Sequence, residues 1–262
     1  LKLAAGRECP PCPAPAVIRS STPTMGSGEA PVAGLIFLHG SGDCGAGIRD
    51  WLASTSGGDF ERRLTAAGVK VVYPDAPAVP YTLNGGYPQN VWFDRVALAY
   101  NAPEDVAGVA RSLEQVDAEI DRLIEAGISR SHIAVGGMSM GGCLAMHAAY
   151  GAGRHAGALA AAACLSCFLP HDSGLDAACR ERLAGAGSGE AGASGAPALF
   201  MGHGEADGMI NPSWAQLTRE RLEACGVPVP AKVAMFPGVG HDMCPEEVRL
   251  VTDFLLKHLA GS

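Results

Sequence analysis

Aromatic side chains are scarce in this chain, at 6% of 262 residues, and positive charge is outnumbered, with 19 Lys and Arg against 27 Asp and Glu. The formal net charge of -8, without any basic run or stripe, speaks against nucleic acid as a partner. An acidic chain is also weakly repelled by anionic membranes. Long hydrophobic runs are missing. The apolar stretch 156–169 falls short of the ~18 residues of a transmembrane helix and reads as a buried strand, so no stable membrane insertion is expected. A signal peptide is not expected either, because Pro10, Pro11, Pro13 and Pro15 interrupt the N-terminus. Met25 stands just before the first strand-like segment and is a candidate natural start.

Cysteine is present, but not as a framework. Nine scattered residues cannot all pair, which points to a reducing, cytoplasmic setting with most thiols buried as small apolar groups. Cys9 and Cys12, and Cys164 and Cys167, have C-x-x-C spacing, yet neither pair has a second pair or a His cluster to complete a metal site. Neither a metal nor a cofactor is expected.

What is there in quantity is apolar mass, at 48%, enough for one well-filled core. Residues 1–30 are rich in Pro, Ser, Gly and Thr and read as a mobile arm; one domain spans 31–260. Short apolar runs at 35–38, 69–73, 133–135, 158–165, 198–201 and 232–236 suit strands buried on both faces. Between them lie helical patterns at 103–127, 141–150, 213–225 and 245–259. The first carries Val106, Val109, Leu113, Val116, Ile120, Leu123 and Ile124 as one stripe, with Gly127 at its end. This alternation predicts an α/β fold with a mainly parallel central sheet and helices on both faces. Residues 172–197, almost all Gly, Ala and Ser in their second half, read as a disordered loop insertion.

A parallel sheet places its chemistry in the loops beyond the strand carboxyl ends. Gly137-Met138-Ser139-Met140-Gly141 follows one such strand and opens a helix. A serine on that tight turn points its hydroxyl outward, and small neighbours let strand and helix approach. A serine hydroxyl needs a base. His147 is too close in sequence, His258 sits on a terminal helix and His171 precedes the insertion, whereas His241 lies in a glycine-punctuated loop between a strand and a helix. His203 follows its strand directly and reads as structural. For the carboxylate, Asp207 is favoured over Glu205 and Asp242, because Asp242 adjoins the histidine it would have to orient. Asp207 then fixes the tautomer of His241. The loop His39-Gly40-Ser41-Gly42-Asp43 follows the first strand, so the backbone amides of Ser41 and Met140 are the candidate oxyanion hole. Trp92 and Phe93, in the segment 74–95, are candidates to wall an acyl pocket.

The motifs at 35–43 (LIFLHGSGD), 90–95 (NVWFDR), 136–147 (GGMSMGGCLAMH), His203 to Asp207, and Gly240-His241 resemble the acyl-protein thioesterase and lysophospholipase-like carboxylesterase family, in the family's order over about residues 31–260. Within it, Ser41, Met140 and the 91–95 motif look most like the lysophospholipase-like branch. The resemblance implies the α/β-hydrolase fold and a cytosolic, cofactor-free serine hydrolase acting on small acyl esters, thioesters or acylated proteins. It implies the triad Ser139, Asp207 and His241. The closest branch resembles enzymes for short acyl groups, while 165–170 (LSCFLP), with Phe168 as a substrate-binding candidate, looks more like the long-chain thioesterases. A peptidase, or a non-catalytic ligand-binding member of the fold, are the competing expectations. The sequence carries no signal of oligomeric state.

Overall fold

The computed structural model describes residues 30–185 and 196–260. The expected arm and the most Gly/Ala-rich stretch, 186–195, lie outside the described residues.

Six strands form one parallel sheet. In chain order they are β1 (Ala33–Leu38), β2 (Val69–Val72), β5 (Ile133–Met138), β6 (Ala161–Leu165), β7 (Ala198–Gly204) and β8 (Ala234–Phe236), and the spatial order is β2-β1-β5-β6-β7-β8. Their apolar runs are continuous because both faces are covered; every residue of β1, β5 and β6 is buried. A short antiparallel ribbon, β3 (Ala78–Pro80) with β4 (Pro88–Asn90), stands apart from the sheet.

One face carries α1 (Gly45–Ser56), α2 (Asp59–Ala66) and α7 (Pro245–Leu259), which close a core around Phe37, Phe60, Leu35 and Val251. The other carries α3 (Val106–Glu125), α4 (Met140–Tyr150), α5 (Leu175–Gly185) and α6 (Pro212–Ala224). On α3 the buried side chains Val109, Leu113, Val116, Ile120 and Leu123 are the apolar stripe read from the sequence, each contributing about 1.5–3 kcal/mol by leaving water. Asp105 caps that helix by accepting from Gly108 N at 2.9 Å. In α4 every residue is buried, so the helix shows no amphipathic period.

Two expectations need correction. Helices α1 and α2 were not anticipated: α1 is rich in Gly, Ala and Ser and buries only Gly45, Ile48 and Leu52, too few to mark a period. The expected disorder does not hold for the first part of 172–197, where α5 stands. Its first turn buries Leu175, and Asp176 pairs with Arg221 of α6 at 3.0 Å, giving it partners that composition does not announce.

The chain leaves β1 for β2 on one side and returns to β5 on the other, so the strand order reverses between β1 and β5. The loops that leave these two neighbouring strands therefore diverge and open a crevice at their carboxyl ends. The loop after β1 carries Ser41, and the turn after β5 is Ser139. Among the described residues no helix is long and apolar enough to cross a membrane, and no group of three or more His, Cys, Asp or Glu is placed to hold a metal ion.

Candidate active site

Ser139 sits at the N-cap of α4 with φ 55 and ψ -120, a conformation that L side chains seldom adopt. Its neighbours show why the turn needs glycine. A Cβ on Gly137 would lie 2.5 Å from the Gly141 carbonyl carbon, and a Cβ on Gly141 would lie 2.3 Å from the Leu38 carbonyl oxygen. The serine N–H donates to Leu165 O at 2.8 Å, pinning the elbow to β6. That leaves the hydroxyl on the wall of a small cavity, with Ser41, Met140, Arg95, Phe168 and Ile210 among its neighbours.

Two residues on that wall have backbone N–H groups without a protein acceptor. Among the described residues, neither Ser41 N nor Met140 N makes a hydrogen bond. Met140 opens α4, so its N–H is one of the donors a helix start leaves free. Ser41 is held in place by its surroundings: Gly42 N donates to Asn90 O at 2.8 Å, and Asp43 N to Gly40 O at 3.3 Å. His39 braces the loop from beneath. Its Nδ1 bonds Gly40 O at 2.7 Å, and its Nε2 accepts from Ala76 N at 3.0 Å. That pattern requires a neutral ring, and burial lowers the His39 pKa in agreement.

Asp207 and His241 come together from two loops, after β7 and β8. His241 Nδ1 donates to Asp207 Oδ2 at 2.8 Å, which leaves Nε2 as the free acceptor of the ring. The Asp207 side chain is 0% exposed. Its Oδ1 accepts from Met209 N at 2.9 Å and Ile210 N at 2.8 Å, and His203 Nε2 lies 3.2 Å from Oδ2. Burial opposes its charge, but the hydrogen bonds from His203, His241 and Ile210 N hold its pKa well below the ordinary carboxylate range. His203 also bonds Ile210 O at 3.1 Å, so it buttresses the Asp207 loop, as expected of a structural group. Asp242 is engaged elsewhere: its Oδ1 accepts from Trp51 Nε1 at 3.1 Å and Met243 N at 2.7 Å. Glu205 is exposed. Among the described residues no hydrogen bond joins Ser139 Oγ to His241; such contacts commonly tighten only when substrate is bound.

The three residues expected to bind substrate separate. Phe168 lines the cavity. Trp92 does not reach it. Its Nε1 donates to His39 O at 2.9 Å and its ring lies 5.1 Å from the His39 ring, so it is a prop for the Ser41 loop. Phe93 is buried beneath the guanidinium of Arg95, 5.2 Å from its Cζ. Arg95 was missed. It lies in the quoted 90–95 motif, but a basic residue beside an acyl site has no pattern to flag it.

Glu104 and His147 form a second buried pair, 3.0 Å apart, outside this crevice. Ser173 Oγ and Gly174 N also donate to Glu104, at 2.8 and 2.9 Å. Burial opposes charge on His147, but hydrogen bonds to Cys143 and Glu104 outweigh it and raise its pKa to about 9. The pair ties the 94–105 loop and the 170–175 turn to α4.

The sequence pattern of the phospholipase/carboxylesterase family matches residues 23–259. The chain is 34% identical over 230 residues to lysophospholipase-like protein 1 of Mus musculus, covering 87% of this chain and 88% of that one. It is 30% identical over 256 residues to acyl-protein thioesterase 1 of Neurospora crassa, covering 95% and 92%. Acyl-protein thioesterase 2 of Zea mays superposes with a TM-score of 0.64 at 28% identity, over 87% of this chain and 94% of that one. With the parallel sheet, the serine elbow and these likenesses in hand, the chain belongs to the phospholipase/carboxylesterase family of α/β hydrolases and is a hydrolase of ester bonds.

Proposed function

We propose that Ser139, His241 and Asp207 hydrolyse compact acyl esters and thioesters through an acyl-serine intermediate. The observation that carries this reading is that Ser41 and Met140, whose backbone amides have no protein acceptor among the described residues, line the same cavity as Ser139. In the first half-reaction Ser139 Oγ attacks the carbonyl carbon while His241 Nε2 takes the hydroxyl proton. Asp207, already charged and fully bonded, holds the His241 tautomer and stabilises the imidazolium that forms. The developing oxyanion accepts from Ser41 N and Met140 N, donors fixed before the reaction and therefore not reorganised during it. His241 returns the proton to the leaving alcohol or thiol. Water then attacks the acyl-serine, again through His241, and releases the acid and the free serine.

Compact acyl groups are favoured by space. The cavity beside Ser139 is narrow, with about 10 Å³ of free room, and it is partly open to solvent; Arg95 and Phe168 line it. A cytoplasmic setting is supported by the seven described cysteines, all free.

The test is labelling with a fluorophosphonate probe, read by intact mass, for wild type and Ser139→Ala, followed by turnover of p-nitrophenyl acetate and octanoate. Labelling that vanishes with Ser139, with acetate turned over faster, is the expected result. Full esterase activity in Ser139→Ala refutes the nucleophile, and faster octanoate refutes the compact pocket.

A further inference from the structure

We propose that Arg95 makes this site selective for compact esters that carry a carboxylate near the scissile carbonyl, with the guanidinium as that carboxylate's partner. The proposal deepens the hydrolase reading and rests on Ser139 as nucleophile.

Arg95 is 7% exposed, and the little surface it keeps opens on the same cavity wall as Ser139. A buried guanidinium cannot shed its charge, so it needs a counter-charge or strong compensation. What surrounds it is aromatic. Its Cζ lies 5.2 Å from the Phe93 ring centroid and 4.7 Å from that of Phe168, and Phe168 is backed in turn by Trp214 at 4.8 Å. These ring faces attract a cation but leave its N–H fork without ordinary acceptors.

The carboxylates of its own loop are all turned elsewhere. Asp94 accepts from Thr82 N at 2.8 Å and from the Thr82 hydroxyl at 2.5 Å. Glu104 is taken by His147, Ser173 and Gly174. Asp105 caps α3 and accepts from Asp94 N at 2.9 Å. Among the described residues no carboxylate pairs with the Arg95 guanidinium, and its only polar link is through its own backbone N–H. The cavity that Ser139 lines therefore also holds one cation, its side chain largely buried and its fork without a protein partner among the described residues. A carboxylate matches that fork in two parallel hydrogen bonds. Arg95 thus discriminates between substrates rather than taking part in bond breaking, and because Arg95 and Ser139 line one cavity, the anion and the scissile carbonyl belong to one compact substrate.

The test compares carboxylate and carboxamide isosteres in two arms. With the charge on the acyl side, monoethyl succinate is set against ethyl succinamate. With the charge on the leaving group, 4-acetoxybenzoate is set against 4-acetoxybenzamide. The readout is the ratio of kcat/KM within a pair, which cancels any general loss of activity, for wild type, Arg95→Met and Arg95→Gln. Binding of succinate against succinamide, followed by calorimetry, needs no turnover. The expected result is a wild-type ratio of about 10 to 100 in one arm, falling toward one in both variants, with succinate binding lost in parallel. The arm that shows the ratio tells which side of the ester carries the charge. Ratios near one in both arms of the wild type, or a ratio that survives in a folded variant, overturn the proposal. So does equal binding of succinate and succinamide. Absent turnover of every ester, charged or neutral, is instead a failure of Ser139, and the binding comparison then still decides the assignment of Arg95.

Discussion

Replacing Glu247 with glutamine should make the protein more stable in alkali and change the shape of its pH–stability curve. Glu247 lies in the first turn of α7, 0% exposed, against β7 where a Cβ on Gly202 would lie 2.3 Å from its Oε1. Neither carboxyl oxygen has a hydrogen-bond partner. Burial therefore raises its pKa from 4.5 to about 8; the nearby Cys244 N–H, outside good hydrogen-bond geometry, offsets this only in part, and the charge of Asp242 adds to it. The folded state keeps the proton while the unfolded chain loses it near pH 4.5, so stability falls as pH rises between the two values. At about 1.4 kcal/mol per pH unit, at most about 5 kcal/mol is lost by pH 8, and about 3 kcal/mol by neutrality. Glutamine keeps the shape of the neutral acid and cannot ionise. Urea unfolding at pH 5, 7 and 8.5 should give nearly equal stabilities at pH 5 and a variant several kcal/mol more stable at pH 8.5. The difference between the two curves cancels every other titrating group. Parallel curves across that range would show that Glu247 is ionised or solvated in the folded protein and would refute the reasoning.

Other expectations follow from the same contacts. Asp207→Asn should lower kcat about 10³- to 10⁴-fold, since it favours the wrong His241 tautomer, and should flatten the loss of stability below pH 4. A depressed carboxylate stabilises above its unfolded pKa of 3.8 and stops doing so as pH falls. Steady-state kinetics with acid-side melts check both, and unchanged kcat would remove Asp207 from the mechanism. Glu104→Gln should cost about 3 kcal/mol or more by leaving a buried imidazolium unpaired. The stabilisation by His147 is full below pH 6.5 and is lost as pH rises through about 9, so the variant's deficit should shrink in that window. Gly141→Ala should fail to accumulate as folded protein, because its Cβ would stand 2.3 Å from a backbone oxygen that cannot move aside; a variant with wild-type melting would contradict the elbow geometry. Trp92→Phe loses the indole N–H that holds His39 O at 2.9 Å and should lower kcat about tenfold with KM little changed, as expected for a misplaced oxyanion donor.

Much of the site is written locally. The elbow at Ser139 is a run of neighbours in sequence, and Gly137 is demanded by Gly141 inside that one turn, although the Leu38 carbonyl that crowds Gly141 comes from β1. Helix α3 declares itself by an apolar stripe and α7 by Pro245 at its start, because each buries one face over many turns. The order Ser139, Asp207, His241 follows from which loops lie beyond strands. What sequence could not supply is anything set by packing between distant segments. Helix α5 docks with Leu175 buried and Asp176 paired to Arg221, 45 residues away. That Asp242 accepts from Trp51, 191 residues away, is likewise decided by packing. Trp92 became a prop and Arg95 a cation at the cavity wall through contacts with His39 and Phe168, neither of them near in the chain. Periodicity and turn chemistry act over a few residues and are therefore legible in one dimension. Pairing of buried polar groups is decided by which side chains the closed sheet brings face to face, and only the tertiary structure determines that.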